Sequence, residues 1–158
     1  MLVRSAQHSI TIANSYFVPP RRLRKHLAEA AARGVAVHVL TNSKESTDAW
    51  WMYYASLNYY EELIRAGIHI HQYQGTETMH AKTMLIDDTL AVVGSFNLDP
   101  RSAVDNSESL LLIRDGEAVE ELRQAFEVDF ANADEANYDI PLGELVKAKS
   151  FRLVEPLL

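Results

Sequence analysis

The sequence predicts a single α/β domain, residues 1–158, in which a mixed, largely parallel sheet is flanked by helices on both faces. Residues 9–40 show a strand pattern, a helical pattern and a second strand pattern with short links, as expected for two parallel strands and a crossover helix. Residues 81–93 show two apolar runs separated by a polar pair, which predicts two strands and a tight turn. The chain has 158 residues, 47% of them apolar, which is long enough for one core that buries about 70% of the unfolded surface.

The first unit of the fold is a strand, a helix and a strand. Residues 9–14 alternate isoleucines with polar residues, which predicts a strand, and residues 35–40 form an apolar run typical of a strand covered on both faces. Residues 21–33 predict a helix that Gly34 ends. Because ligands of parallel sheets bind beyond the carboxyl ends of strands, the loops at 14–20 and 41–48 are expected at the functional edge. The apolar face of the helix comprises Leu23, Leu27, Ala30 and Ala31.

A second helix is predicted from an N-cap at Thr47 or Asp48 to about Ala66, with Gly67 as its stop. Trp51 lies off its apolar stripe, either as an ordinary surface aromatic or as a contact for an acyl chain or the membrane interface. The stripe predicts a core face made of Trp50, Tyr53, Tyr54, Leu57, Tyr60 and Ile64.

Five further segments are expected to complete the domain. Residues 68–73 and 107–113 predict strands, and residues 98–103 predict a loop. Residues 138–158, which include two prolines and a glycine, predict a short helix and an extended tail. A closing helix is predicted at residues 116–131, with Val119, Leu122, Phe126 and Phe130 on one face.

Residues 79–97 contain the candidate catalytic residues. His80 and Lys82 are two residues apart on a predicted strand, so their side chains point the same way. A neutral imidazole is a nucleophile at physiological pH and a charged one is a proton donor. The ammonium of Lys82 suits phosphate oxygens, and Asn97 with Ser95 can donate hydrogen bonds as charge builds up in the transition state. These roles need no metal or other cofactor; the alternative is that His80 and Lys82 are ordinary residues on a solvated strand face.

Two carboxylates near this stretch are predicted to differ in role. Glu108 shares a strand face with Leu110 and Leu112, where an unpaired carboxylate is costly, so it is expected to have a partner. That partner is His80 or another base, unless the strand end is exposed. Asp87 falls at its strand end on the opposite face, which predicts a structural role in the turn.

Charge and composition exclude several classes of function. The net charge of −7 disfavours a general polyanion-binding surface such as a nucleic-acid groove. The absence of cysteine excludes disulfides, thiolate nucleophiles and Cys-based zinc sites. The apolar runs are only strand-length, so neither a membrane-spanning helix nor a signal peptide is predicted within the sequence. Four basic residues form a patch at the beginning of the first predicted helix. This patch is expected to be a solvated helix start, and the alternative is a contact site for lipid or phosphate. Its members are Arg21, Arg22, Arg24 and Lys25.

The remaining histidines are not expected to carry chemistry. His69 and His71 share a strand face and are predicted to be a surface pair, because no third ligand is nearby to complete a metal site. His8, His26 and His38 stand alone in the sequence.

The stretch from His80 to Asn97 resembles the H-x-K-x4-D-x6-G-S-x-N signature of the phospholipase D superfamily at every specified position. Over roughly residues 10–132 the chain resembles the C-terminal half of bacterial cardiolipin synthases and related phospholipase D-like proteins. One departure is Asn14-Ser15, where the family often has Ser-Pro or Thr-Pro. The similar stretches are residues 16–19, 30–37, 40–43, 47–48, 65–68 and 94–102.

The resemblance implies a phospholipase D-like fold and phosphatidyl transfer in cardiolipin synthesis, with phosphatidylglycerol or another phospholipid as substrate. It also implies peripheral contact with the cytoplasmic face of the bacterial inner membrane. An acidic residue downstream of the motif often has an orienting role in the family, which favours His80 as the partner of Glu108. The implied catalytic residues are His80, Lys82, Asn97 and Glu108, and the implied supporting residues are Asp87, Gly94 and Ser95.

The sequence contains one H-x-K motif, whereas the complete enzymes of the family carry two halves whose motifs face each other. Displacement at phosphorus needs a nucleophile on one side and a proton donor on the other. The second motif is therefore expected from another half in cis or from a second copy, as in the short nucleases of the superfamily. A sequence that opens directly at a first strand favours an excised domain or a homodimer. Whether His80 is nucleophile or acid stays open.

Two alternatives to phosphatidyl transfer remain. The first is a dimeric nuclease or a phospholipase hydrolase, although the acidic charge and the tryptophans at 50–51 favour lipid over nucleic acid. The second is a non-catalytic half that packs against a catalytic one. The intact catalytic set argues against that second alternative.

Overall fold

Seven strands form one mixed sheet in the computed structural model, which describes residues 2–104, 106–137 and 139–152. The strands are β1 (Ser9–Asn14), β2 (Ala36–Asn42), β3 (Ile68–Tyr73), β4 (Lys82–Ile86), β5 (Leu90–Gly94), β6 (Leu110–Arg114) and β7 (Ala133–Glu135). The helices are α1 (Arg21–Ala32), α2 (Trp50–Arg65), α3 (Pro100–Val104), α4 (Glu117–Ala131) and α5 (Leu142–Arg152), and a 3-10 turn precedes β1 at Leu2–Arg4.

The strand order is β6-β5-β4-β1-β2-β3-β7. Only the pairs β1–β2 and β2–β3 are parallel, because α1 and α2 carry the chain back across the sheet between them. The other four pairs are antiparallel. The predicted mixed α/β fold is therefore confirmed, but the sheet is not largely parallel as predicted, because four of the six strand pairs among the described residues are antiparallel.

Helices cover both faces of the sheet, as predicted. Helices α1 and α2 pack on the face that contains Ile10, Ile12 and Ile70, and α5 packs against α2. Helix α4 packs on the other face through Val119 and Phe126, against the small and branched side chains of the central strands. Two apolar layers thus hold the central strands rigidly, and the site is built from the ends of those strands.

Glycines end the first two helices where they were expected. Gly34 has φ +89° and its N–H donates to Ala31 O at 2.9 Å, which closes α1. Gly67 has φ +85° after α2. The predicted N-cap of α2 is wrong, because Thr47 and Asp48 lie upstream of the helix.

The aromatic face of α2 is only partly as predicted. Tyr54, Leu57 and Tyr60 are buried, but Trp50 is 53% exposed. Trp50 lies in the first turn, where the sheet no longer covers the helix, and it packs edge-on against Phe151 of α5 with 5.3 Å between ring centroids. Trp51 is 39% exposed, as expected for its position off the stripe.

The segment between β5 and α4 differs most from the prediction. Residues 100–104 form α3 instead of a loop, because Pro100 suits the first helical position and Asp99 Oδ1 accepts the Ser102 N–H at 2.7 Å. Strand β6 lies at an edge of the sheet with Leu110, Leu111 and Leu112 all more than half exposed, so the buried face predicted there is wrong.

The C-terminal prediction is confirmed for the helix, which is α5; residues 153–158 of the predicted tail lie outside the described residues. Within the described ranges, no helix is both long and apolar enough to cross a bilayer.

Candidate active site

The predicted site residues gather at one edge of the sheet. The carboxyl ends of β1, β2 and β5 point to this edge, and the antiparallel strands β4 and β6 start there. Asn14 pairs with Lys82 across β1 and β4, and Gly94 pairs with Leu110 across β5 and β6. The expected position of the loops after β1 and β2 is confirmed, since both leave the sheet at this edge.

His80 and Lys82 converge, although only Lys82 belongs to β4. The Lys82 ammonium lies 3.0 Å from His80 Nδ1 and 3.1 Å from His80 Nε2, and it donates to the His80 carbonyl oxygen at 3.1 Å. It also donates to the Ser15 hydroxyl at 3.0 Å. The imidazole is exposed and the ammonium is half-buried, so an anion from solvent can reach both.

The charge of Lys82 is set by two opposing effects. Partial burial lowers the pKa of the ammonium because the charged form loses hydration. Carboxylates beside it act in the opposite direction by attracting the charge, namely Asp48, Asp99 and Glu108. A phosphate that binds here would therefore meet a cation that has already lost part of its hydration. The ammonium then gives up little further hydration and gains a strong electrostatic contact.

Polar side chains at the ends of the strands hold the site together, although the sequence pattern did not predict this role for them. Asn14 is buried and joins β1 to the segment after β5, donating to Phe96 O at 3.2 Å and accepting the Leu98 N–H at 3.0 Å. Asn42 is also buried and donates to Ser15 O at 3.1 Å and to Met79 O at 2.9 Å. The only sequence signal for them was their position where apolar strands meet the functional edge.

Tyr16 and Asp48 form a second unpredicted contact beside His80. The Tyr16 hydroxyl donates to Asp48 Oδ1 at 2.6 Å. The phenol ring stands edge-on to the His80 imidazole, with 6.3 Å between ring centroids. Burial and then the two carboxylates Asp48 and Asp99 raise the pKa of Tyr16, so the phenol stays protonated and stays a donor.

Glu108 does not contact His80, which corrects the predicted partnership. Its carboxylate accepts from the Ser95 hydroxyl and from Asn106 Nδ2, the latter at 3.3 Å. These hydrogen bonds, that of Ser95 first, lower the pKa of Glu108, and the charge of Lys82 lowers it further. The partner differs because β6 begins at Leu110, which leaves Glu108 before the strand and beside the turn that contains Ser95.

Ser95 and Gly94 have structural contacts. The Ser95 hydroxyl donates to Glu108 and accepts the Ser109 N–H at 3.1 Å, so its proton is not free for phosphate in this structure. Gly94 lies where β6 crosses closely: a Cβ there would lie 2.3 Å from Ser109 O and 2.6 Å from a methyl group of Leu110. Together they fix the start of β6 against the end of β5.

Asp87 has the structural role that was predicted for it. Asp87 and Asp88 form the turn between β4 and β5 with φ of +51° and +53°, a conformation that aspartate tolerates. The Asp87 carboxylate accepts the backbone N–H groups of Gln7, His8 and Ser9 at 2.7–3.1 Å. Burial raises its pKa, but the three donors outweigh that effect and the pKa of Asp87 is lowered.

Asn97 lines a polar pocket together with Tyr16, the residue whose ring stands edge-on to His80. Its Oδ1 is buried and has no hydrogen-bond partner among the described residues. The pocket has a volume of about 360 Å³, and its walls include Tyr16, Trp51, Asp99, Arg101 and Asn106.

A second cavity of about 430 Å³ reaches Lys82. It lies over β4 and β5 and is almost entirely apolar. The side chains that form it include Leu2, Leu23, Met84, Val92, Phe96 and Leu110.

Two members of the predicted basic patch differ in exposure. Lys25 is exposed and pairs with Glu29, as expected for a solvated helix start, whereas the side chain of Arg24 is largely buried, stacks on Tyr59 at 4.1 Å and forms an ion pair with Glu62. The residues that the structure describes contain no group of three or more His, Asp or Glu side chains suited to hold a metal.

Residues 1–130 match the family described as the PLD-like domain of cardiolipin synthase, where PLD denotes phospholipase D. The chain belongs to this family. Over 133 residues this PLD-like domain is 41% identical to the probable cardiolipin synthase YwiE of Bacillus subtilis strain 168, a match that covers 84% of the chain and 26% of that protein. The domain thus spans about a quarter of the length of the curated relatives it matches first.

Two solved structures share the fold of the PLD-like domain. Nuc from Salmonella typhimurium, a phospholipase D family member, aligns with a TM-score of 0.70 and 22% identity, over 85% of this chain and 86% of that one. The phosphatidylserine synthase of Haemophilus influenzae Rd KW20 aligns with a TM-score of 0.80 and 20% identity, over 99% of this chain and 43% of that one. Both similarities establish the fold.

Proposed function

We propose that this PLD-like domain supplies one histidine of a phosphodiester-transfer site, with His80 as the reacting group and Lys82 as the charge that stabilises phosphate. The observation that carries the proposal is the convergence of the ammonium on both ring nitrogens, at 3.0 and 3.1 Å, at an exposed edge of the sheet. A phosphate that enters this edge meets a nucleophile and a cation together.

The proposed reaction has two steps. A histidine nitrogen attacks phosphorus, the N–P bond forms and the P–O bond to the first alcohol breaks, while a second imidazolium gives its proton to the departing oxygen. That second imidazole then takes the proton of an acceptor alcohol, whose oxygen attacks phosphorus. The N–P bond breaks and the electron pair returns to the histidine. His80 serves as nucleophile or as acid in this scheme.

The neighbouring residues support both steps. Asn97 donates through its amide nitrogen to the phosphate oxygens, and Lys82 stabilises the charge that builds up on them. Glu108 acts on Lys82, whose charge it attracts, through a carboxylate that Ser95 and Asn106 hold in place.

The second imidazole comes from another H-x-K motif, in cis or in a homodimer. One imidazole cannot stand on both sides of the phosphorus atom at once. The match covers only 26% of the YwiE chain, which leaves room in such a protein for a second half. The match to Nuc covers 86% of that chain, so the fold also occurs in a short chain.

The proposed substrate is a phospholipid, most specifically phosphatidylglycerol, with cardiolipin as the product of phosphatidyl transfer. Membership of the cardiolipin synthase PLD-like family supports this choice. The apolar cavity beside Lys82 supports it too, because an acyl-bearing substrate needs apolar surface next to the phosphate.

We further propose peripheral contact with the cytoplasmic face of the bacterial inner membrane, for which exposed Trp50 and Trp51 are suitable anchors.

Turnover by the unaltered protein and by His80→Ala tests the proposal. The protein is incubated with phosphatidylglycerol vesicles and, separately, with plasmid DNA, while its mass in solution is measured. We expect cardiolipin from the vesicles, intact DNA and complete loss of turnover in His80→Ala. His8→Ala, which removes an exposed imidazole at the opposite end of β1, is the matched control and should retain full activity.

Three results would redirect the assignment. Phosphatidic acid as the main product would make the protein a hydrolase, and nicked DNA would make it a nuclease. No turnover of either substrate by the assembled protein would leave a non-catalytic packing half.

A further inference from the structure

We propose that Arg101 binds the phosphate of the acceptor lipid, and that this contact makes phosphatidylglycerol a better acceptor than an uncharged alcohol. This inference rests on the proposed phosphodiester transfer, because it assigns a group to the second substrate of the same site. Synthesis of cardiolipin brings two phosphates together, one in the donor that reacts and one in the acceptor that does not react. The proposed function assigns the first phosphate to His80 and Lys82 and leaves the second without a partner.

Arg101 belongs to α3, shortly after Asn97, and lines the polar pocket of about 360 Å³. Two other residues connect this pocket to the reacting groups. Asn97 forms part of its wall and is the proposed donor to the reacting phosphate. Tyr16 forms another part and stands 6.3 Å from His80, measured between ring centroids. An acceptor whose hydroxyl group reaches the reacting phosphate can place its own phosphate in this pocket, since only a glycerol chain separates the two groups.

The guanidinium of Arg101 has no partner in the protein. Arg101 is exposed, and among the described residues its side chain has neither a hydrogen bond nor an ion pair. An unpaired guanidinium presents a planar fork of N–H donors that matches the oxygens of a phosphate. Other arginines are already paired with glutamates, namely Arg24, Arg65 and Arg123.

Other cations near the site are less suited to the second phosphate. The Lys82 ammonium contacts the His80 ring and the Ser15 hydroxyl, and it is assigned to the reacting phosphate. Arg22 lines the apolar cavity and does not line the polar pocket. Within the part of the chain that the structure describes, Arg101 is the single basic residue of the polar pocket.

The carboxylates near the pocket are engaged with donors of the chain. Asp99 Oδ1 accepts the Ser102 N–H at 2.7 Å, and Asp48 Oδ1 accepts the Tyr16 hydroxyl at 2.6 Å. Their negative charges still repel an anion, and this repulsion is unopposed in the pocket once the guanidinium is removed. The pocket should therefore accept a phosphate while Arg101 is present and should favour an uncharged alcohol without it.

A competition between two acceptors tests this role in the active assembly. Phosphatidylglycerol vesicles are turned over with equal concentrations of isotopically labelled glycerol and of glycerophosphoglycerol, the deacylated form of phosphatidylglycerol. Mass spectrometry then gives the ratio of the two transfer products. We expect Arg101→Gln to lower the ratio of glycerophosphoglycerol transfer to glycerol transfer at least tenfold, and Arg101→Lys to lower it less. Arg114→Gln, which removes an exposed arginine at the far end of β6, is the matched control and should keep the original ratio.

Two results of the competition would overturn the role of Arg101. The first is an equal ratio in Arg101→Gln and the unaltered protein. The second is loss of both products by the same factor, which would show that the substitution disturbs the site as a whole. Turnover that still depends on His80 would leave the proposed function standing in either case.

A binding titration decides the role of Arg101 without turnover. In Trp50→Phe, Trp51 is the single tryptophan of the chain and lines the pocket, so its emission is followed during titration with glycerophosphoglycerol and with glycerol. We expect Arg101→Gln to weaken the binding of glycerophosphoglycerol at least tenfold and to leave that of glycerol unchanged. Arg114→Gln should change neither. Equal affinities for glycerophosphoglycerol in folded proteins, judged by circular dichroism, or no binding at millimolar concentration, overturn the assignment even if no turnover is found.

Discussion

Asn42 and Met79 form a closed pair of hydrogen bonds, in which the Asn42 amide oxygen accepts the Met79 N–H at 3.0 Å and the amide nitrogen donates to Met79 O at 2.9 Å. A side chain at the end of β2 thus fixes the backbone immediately before His80. The approach of Lys82 to the imidazole depends on this backbone, because His80 itself lies outside β4.

We expect Asn42→Ala to lower both stability and turnover. The substitution removes the side-chain partner of the partly buried backbone groups of Met79 and one of the two side-chain donors to the buried Ser15 carbonyl. The loss should cost about 1–3 kcal/mol. The His80 imidazole should be more mobile in this variant, and turnover should therefore fall about tenfold or more. Urea unfolding and phosphatidyl-transfer rates measure the two effects. Asn132→Ala, which removes an exposed hydrogen bond at the end of α4, is the control and should change neither; equal behaviour of the two variants would contradict the role of Asn42.

Gly94→Ala is expected to destabilise the β5–β6 pair. A methyl group at this position meets the Ser109 carbonyl oxygen at 2.3 Å, and backbone cannot give way as a flexible side chain can. The cost should be about 1–3 kcal/mol, measured as a lower unfolding midpoint in urea. Gly143→Ala, whose Cβ would have no heavy atom within 4 Å, serves as control and should be neutral or slightly stabilising because alanine favours helix α5. The prediction fails if both alanines are tolerated equally.

Asp87→Asn should destabilise the domain at neutral pH and not in acid. The pKa of Asp87 is lower in the folded than in the unfolded state, so its contribution is complete above the unfolded value of about 3.9 and is lost as the pH falls through the folded value. Loss of the charged acceptor for three backbone N–H groups should cost about 2 kcal/mol at pH 7. Unfolding free energies of the two proteins should converge as the pH is lowered to 2; a gap that stays constant would contradict this origin.

The His38–His71 contact predicts a loss of stability in mild acid. Burial lowers the pKa of both imidazoles, and each also disfavours a charge on its neighbours at distances such as 3.2 Å between His38 Nδ1 and His71 Nε2. The folded state then binds fewer protons than the unfolded state, so stability should fall as the pH decreases from about 6.5. His69 faces the same cluster and Glu135, its partner at 2.7 Å, offsets part of the effect.

The measurement is the unfolding free energy between pH 7.5 and 5 for the unaltered protein and for His38→Gln with His71→Gln. The double variant should show the flatter profile. Identical slopes would show that these imidazoles do not carry the acid sensitivity. His26→Gln, which removes a histidine paired with Glu29 on α1, is the control and should keep the steeper slope.

The elements that the sequence predicted well are those whose signals are local. Strand β1 and strand β3 have the predicted bounds because apolar alternation and turn residues mark both ends. The turn at Asp87 was predictable from two aspartates between apolar runs. The motif from His80 to Asn97 was recognisable because its spacing is fixed along the chain.

The errors concern features that depend on distant parts of the chain. Asn14, Ser15 and Asn42 hold the site through partners up to 84 residues away, and no local pattern reveals such contacts. Glu108 was assigned to His80 from the family resemblance, and it was expected within a strand that in the structure begins only at Leu110. His38 seemed isolated in sequence, yet the parallel pairing of β2 and β3 places it against His71.

Strand β6 has a practical consequence for handling the protein. On its outer side β6 pairs with no strand among the described residues, which leaves backbone groups open beside Leu110, Leu111 and Leu112, and neither lysine nor proline interrupts these leucines. Such a rim is a template on which another chain can add a strand, and repeated addition yields fibrils or precipitate. The purified protein should therefore aggregate much faster at higher concentration. A charged substitution within the strand, such as Leu111→Lys, should slow the aggregation.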